Sequence, residues 1–214
     1  LAYAEDEMDV LAEFAQLAPM LGYDVELLDA QAVQVRSQAV RPDGLKGGIW
    51  SASEACVDPR QAIELLPHFL AREYGVELCF STPVHAIDMP NLYTPSSTWQ
   101  VERAIVCSGV DFESLYPSVY QSSGLTRCKL QMMRTVPQPD TWQLGPMLAA
   151  GLTLRHYAAF KQCASLASYA ARVRRENPEF DQWGIHVMAS QNGLGEITIG
   201  DSHEYDWHPD PFDK

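Results

Sequence analysis

No cysteine pair, long apolar run, basic surplus or glycine-rich phosphate turn occurs in the sequence, and each absence narrows its function. The five cysteines are Cys56, Cys79, Cys107, Cys128 and Cys163. None pair as Cys-x-x-Cys, none stand at zinc-like spacing with histidine, and their number is odd. A reducing, cytoplasmic compartment is expected, with the thiols acting as small hydrophobes. No apolar stretch approaches the ~20 residues of a membrane span, and no basic-then-apolar leader opens the chain. Lys and Arg total 15 against 28 Asp and Glu, a formal charge of -13. Nucleic acid and anionic membrane are therefore not expected as partners, because both draw on a surplus of basic side chains. A small anion is still within reach of a few converging Arg or His residues. No Gly-x-Gly-x-x-Gly follows a strand and opens a helix, and Gly44-Leu45-Lys46-Gly47-Gly48 lacks that context.

With 214 residues, 46% of them hydrophobic and 20% charged, the chain has the make-up of one or two globular domains. It begins at Leu1 and passes at once into a helical pattern, so a segment of a longer protein is expected. Met8, Leu11, Ala12, Ala15 and Leu17 recur at helical spacing from Glu5 to about Met20. Three acids, Glu5, Asp6 and Glu7, suit that helix's N-terminus. Gly22 ends the helix and Val25–Leu28 reads as a strand. Val33–Val40 alternates weakly, the pattern of an extended piece, Arg41-Pro42-Asp43-Gly44 is a turn, and another extended piece starts at Gly47. Asp58-Pro59 is an N-cap followed by proline at the first helical position, and predicts a helix over Gln61–Tyr74. Gly75 closes it. Val76–Phe80 and Ala104–Cys107 read as buried strands, which together with that helix suggest part of an α/β layer. Further on, Leu130–Val136 and Leu152–Phe160 look like strands and Ser165–Asn177 like an amphipathic helix. Its Arg172, Arg174 and Arg175 read as a solvated face balanced by Glu176 and Glu179. Gly184–Ser190 and Glu196–Tyr205, joined by Gln191–Gly195, form a hairpin.

Gly75 and Val76–Phe80, the turn Ser81-Thr82-Pro83-Val84, and the run Ala104–Val110 ending in Ser108-Gly109 together resemble the middle of the D-amino-acid oxidase family. Val57-Asp58-Pro59 matches the family's upstream helix start. The resemblance implies an α+β fold with an α/β part, a partial FAD-binding sheet inserted in an antiparallel substrate-binding domain. The corresponding division is residues 1–50 and 129–214 for the substrate domain and 51–128 for the FAD-binding part. It also implies FAD as cofactor, with the backbone of Val84 at the adenine end and Ser108-Gly109 along the cofactor. Lys129–Thr135 and Gly200–Tyr205 are similar to a subgroup associated with phosphonate breakdown. The family's phosphate-binding turn and its C-terminal Gly-x-x-Pro region, with its substrate-binding arginine, are absent from residues 1–214.

The hairpin holds the candidate chemistry. Alternation puts Gly184, His186, Met188 and Ser190 on one face of the first strand. Ile197, Ile199, Asp201, His203 and Tyr205 share one face of the second. If the connecting loop has an even number of residues, the two faces coincide and His186, Asp201 and His203 meet. The resemblance implies that His186 and His203 lie over the flavin and line the pocket of a small amine substrate, where relatives carry Tyr and Met. The plain alternative is a hairpin with half-buried, hydrogen-bonded histidines. Two histidines and a carboxylate also suit iron or zinc, but no further ligand clusters with them in the sequence and no metal is expected. Arg155-His156-Tyr157 is able to bring a cation near the same pocket. The activity expected is oxidation of an amine or amino acid, an aminophosphonate in the subgroup's case, by hydride transfer to FAD. The rival is a non-catalytic interaction module built on the 184–205 sheet.

Overall fold

A computed structural model describes residues 1–212. The chain divides into two compact units. One comprises Leu1–Asp58, Cys128–Glu204 and the residues from Asp210; the other comprises Pro59–Arg127 and Tyr205–Pro209.

In the first unit, α1 (Glu5–Leu17) forms where the apolar spacing places it. Its acids face the positive N-terminal end, and Glu7 reaches back to accept the N–H groups of Tyr3 (2.7 Å) and Ala4 (3.1 Å). A 3-10 turn, Ala18–Leu21, follows and closes at Gly22, whose φ is 80°. β1 (Val25–Asp29) then pairs antiparallel with β2 (Gly47–Ser51). Between them the weakly alternating segment is not extended: Ala30–Arg36 is a helix, α2. Its cause is local. Asp29 is an N-cap whose carboxylate accepts the Ala32 N–H at 2.7 Å.

The second unit contains α3 (Pro59–Tyr74), the antiparallel meander β3 (Ala86–Asp88), β4 (Asn91–Tyr93) and β5 (Thr98–Gln100), and α4 (Pro117–Ser123). The two strands expected at 76–80 and 104–107 do not form. A strand satisfies its backbone only through a neighbour's, and neither segment has a ladder partner among the described residues. Their apolar side chains stay open, Ile105 at 81%, as do Ile63, Leu66 and Phe69 of α3. The packed spot here is Phe112, stacked on Tyr120 at 5.0 Å and covered by the Arg127 guanidinium at 4.6 Å.

Returning to the first unit, β6 (Arg127–Arg134), β7 (Leu148–Ala149), β8 (Met188–Gln191) and β9 (Ile197–Asp206) make a four-stranded sheet in the order β6-β9-β8-β7. The expected strand Leu152–Phe160 is instead two 3-10 helices, Gly151–Arg155 and Ala158–Gln162. There the Thr153 hydroxyl donates to the Ala150 carbonyl at 2.6 Å and curls the chain. α5 (Leu166–Glu176) and the short α6 (Pro178–Gln182) complete the unit.

Its core is Val10, Leu11 and Phe14 of α1 packed with Leu154, Cys163, Tyr169 and Val173. Polar ties reinforce the α1–α5 contact. Glu13 accepts the N–H groups of Ala164 (2.8 Å) and Ser165 (2.9 Å) at the start of α5. Arg172 is not simply solvated. It donates to both oxygens of Asp6, at 2.6 and 2.9 Å, and to Glu176 at 3.0 Å. Arg174 pairs with Asp181 rather than Glu179. The expectation for the cysteines holds in packing for Cys163 alone; the other four are exposed, and all are free thiols. No helix among the described residues is long and apolar enough to cross a membrane.

The Asp6–Arg172 pair has a testable pH signature. The bond from Arg172 holds the Asp6 carboxyl below the ordinary carboxylate range. A depressed acid adds stability above its unfolded pKa, about 3.9, and loses it as pH falls through the lower folded value. Asp6→Asn is expected to cost about 1 kcal/mol at pH 7. Urea unfolding at pH 7 and in strong acid checks this, because the gap to the wild type must close as Asp6 protonates.

Candidate functional site

The site is built where β8 and β9 leave regular pairing. Along the ladder Met188 faces Gly200 and Gln191 faces Ile197, leaving residues 192–196, an odd number, in the loop. The condition for the two histidine faces to coincide is therefore not met. Continued in that register, His186 would point away from Asp201 and His203. The chain corrects this with a one-residue slip. His186 and Asp201 exchange both backbone bonds, at 3.1 and 2.7 Å, so Val187 is an extra residue between His186 and Met188. Such an insertion re-aims the side chains beyond it. His186, Asp201 and His203 meet because of this slip.

Beyond it, the His203 N–H donates to the Trp183 carbonyl at 2.7 Å. Gly184 allows this close approach. Its φ is 55°, and a Cβ there would stand 3.0 Å from the Cβ of His203.

A third histidine joins the pair. The break between the two 3-10 helices presents His156, whose ring lies 4.2 Å from that of His186 and 4.7 Å from that of His203; the latter two are 4.9 Å apart. Nδ1 of His186 lies 2.8 Å from Oδ1 of Asp201, and Nε2 of His203 lies 3.4 Å from the same oxygen. His186 is 3% exposed and the Asp201 side chain 6%, whereas His156 is exposed. The cluster thus runs from a buried carboxylate to solvent. Desolvation, then the neighbouring His186 and His203, hold His156 below the ordinary imidazole range, with Asp201 pulling the other way. Sequence reasoning joined His186, Asp201 and His203 only on the condition of an even loop, and placed the Arg155–Tyr157 segment near them without making His156 a member.

Arg155 is paired with Asp181 through Nη1, and its buried Nε has no hydrogen-bond partner. The Tyr157 hydroxyl donates to Sδ of Met188 at 3.2 Å. Chemically the cluster offers imidazole lone pairs beside one carboxylate, a donor set suited to a cation or to moving a proton.

The residues expected at the cofactor belong to the other unit. Val84 is half-buried just before β3. The Ser108 hydroxyl donates to the Asp111 carbonyl at 2.8 Å and meets the Tyr120 hydroxyl at 3.0 Å, and its own carbonyl accepts the Asp111 N–H at 3.1 Å. Gly109 has a φ of 62°, and no atom lies within 4 Å of where its Cβ would stand.

The sequence model of the FAD dependent oxidoreductase family, DAO, matches residues 1–213. The chain belongs to that family. Among its relatives is the N-methyl-L-tryptophan oxidase of Escherichia coli O81 (strain ED1a), 30% identical over 113 residues, which are 51% of this chain and 30% of that protein. L-proline dehydrogenase from P. horikoshii has a similar fold, with a TM-score of 0.62 at 15% identity over 94% of this chain and 47% of that one. The chain therefore spans less than half the length of either relative, and shares with the dehydrogenase the α+β architecture expected from the sequence. FAD is the cofactor of the DAO family.

Proposed function

We propose that this chain forms the substrate-handling part, and some of the cofactor-binding part, of a flavoenzyme that oxidises an amine or amino acid. The observation that carries the reading is the cluster of His156, His186, His203 and Asp201, in a chain of the FAD dependent oxidoreductase family. When bound, FAD would accept the hydride lost from the carbon bearing the amine, and water would hydrolyse the resulting imine. Val84, Ser108 and Gly109 would hold the cofactor through their backbone.

In this reading, His186 and His203 line the pocket and orient the amine. Loss of hydride requires the amine's electron pair, so the ammonium must first give up a proton. An imidazole nitrogen of the cluster is the acceptor in this reading. Asp201, buried against His186, favours the positively charged amine in the pocket over an anion. An aminophosphonate is the finer version of the substrate; its phosphonate needs a cation, and the unpartnered Nε of Arg155, next to His156, is the candidate donor.

The test is the visible spectrum of the purified full-length protein. Flavin bands that bleach anaerobically on adding an amine or amino acid are expected. A colourless protein that takes up no added FAD would overturn the reading in favour of an interaction module built on the hairpin sheet.

A further inference from the structure

Within the described residues, the three imidazoles each place one ring nitrogen within 4.8 Å of the others. Zinc-type ions bind imidazole nitrogen at about 2.0–2.1 Å in tetrahedral geometry, which sets ligand nitrogens about 3.4 Å apart. Closing from 4.8 Å to that spacing needs side-chain rotation of about an ångström, and His156, at the solvent end, is free to supply it.

A second observation is independent of the spacing. Nδ1 of His186 and Oδ1 of Asp201 are both buried and only 2.8 Å apart, yet neither makes a hydrogen bond. A buried donor or acceptor without a hydrogen bond is costly, and a cation on the imidazoles would satisfy His186 by coordination and Asp201 by its charge. Charge agrees. A divalent ion on three neutral imidazoles needs a nearby anion, and Asp201 is buried at that spot. The net charge of -13 adds a field that draws cations to the protein.

We propose that His156, His186 and His203 bind a divalent transition-metal ion of the zinc class, with Asp201 as the compensating carboxylate. Imidazole ligands select for this class over magnesium or calcium, which take oxygen. The exposed side of His156 leaves the fourth position to water. The ion and a substrate ammonium would draw on the same nitrogens, so each would exclude the other. The inference stands on the side-chain cluster alone, not on flavin chemistry, and either can fail without the other.

The experiment is equilibrium dialysis of chelator-treated full-length protein against zinc ion, with bound zinc measured by elemental analysis. One equivalent is expected to bind. His156→Gln is the main variant, because its exposed position leaves packing intact. It should weaken binding at least about 100-fold, beyond the roughly 10–100-fold that loss of an outer-sphere partner costs. Asp201→Asn should fall within that 10–100-fold range, with circular-dichroism melting verifying that each variant is folded. Absence of stoichiometric zinc, or binding unchanged in folded His156→Gln, would overturn the proposal.

Discussion

Replacing Gly47 with alanine is expected to destabilise the first unit by about 3 kcal/mol, the upper end of what overpacking costs. Gly47 opens β2 opposite Asp29. A Cβ there would stand 2.3 Å from the Leu28 carbonyl oxygen and 3.0 Å from Cε of Met8. Methionine yields readily, but the carbonyl belongs to the backbone of β1. Moving it disturbs the strand and the adjoining Asp29, whose side chain caps α2. Gly47 also accepts the Ala2 N–H at 2.9 Å through its own carbonyl, so the displacement would reach the start of the chain. Two controls isolate the cause. Adding Met8→Ala should not rescue the variant, since the clash is with backbone. Gly22→Ala, where φ is 80° and nothing lies within 4 Å, should cost only the conformational penalty of about 1–2 kcal/mol. Urea midpoints for the three variants are the measurement. A Gly47→Ala loss no larger than that of Gly22→Ala would refute the close approach.

The contrast between these glycines mirrors what the sequence makes legible. α1, β1, β2, α3 and α5 follow from local patterns: apolar spacing, acids at a helix start, proline in a first turn. α2 was equally local, but its signal is the N-cap Asp29, hidden because the same residue ends a strand. Leu152–Phe160 was harder. Its alternating leucines imitate a strand, while Gly151 must pass against the Glu7 carboxylate, 2.1 Å from where a Cβ would be, a constraint set by a distant helix. The runs 76–80 and 104–107 carry strand-forming residues, but a strand also needs a neighbour, and no single segment encodes one. At the site, residue identities were legible and register was not. Loop parity alone separates His186 from His203, and only the extra Val187 in β8's approach reunites them. His156 arrives through the break between two 3-10 helices, which periodicity does not reveal.

His186→Ala and His203→Ala are each expected to slow flavin reduction by substrate about 30- to 1000-fold in the full-length enzyme. That range corresponds to losing roughly 2–4 kcal/mol of transition-state stabilisation from a positioned pocket group. The geometry separates the two effects a histidine can have. His186 is buried beside Asp201, so its removal leaves a cavity and a lone carboxylate, and the melting temperature should fall as well. His203 is slightly less enclosed, its side chain 10% exposed against 3% for His186, with its backbone held by Trp183, so His203→Ala should keep somewhat more of its stability while losing rate. Bound flavin per protein should change little in either variant, since the residues proposed to hold the cofactor, Val84, Ser108 and Gly109, lie in the other unit. Stopped-flow reduction under anaerobic conditions, after chelator treatment to remove any metal, measures the chemical step. A melting curve and the flavin-to-protein absorbance ratio on the same samples measure the rest. If the histidines only pack and bond, both variants melt earlier while the folded enzyme reduces its flavin at the wild-type rate, and the pocket assignment falls. If rate is lost with flavin retained, the one-residue slip between β8 and β9 is what assembles the pocket. Deleting Val187 should then leave the reduction rate near wild type, because regular pairing after Met188–Gly200 would itself set His186 opposite Asp201, on the same face.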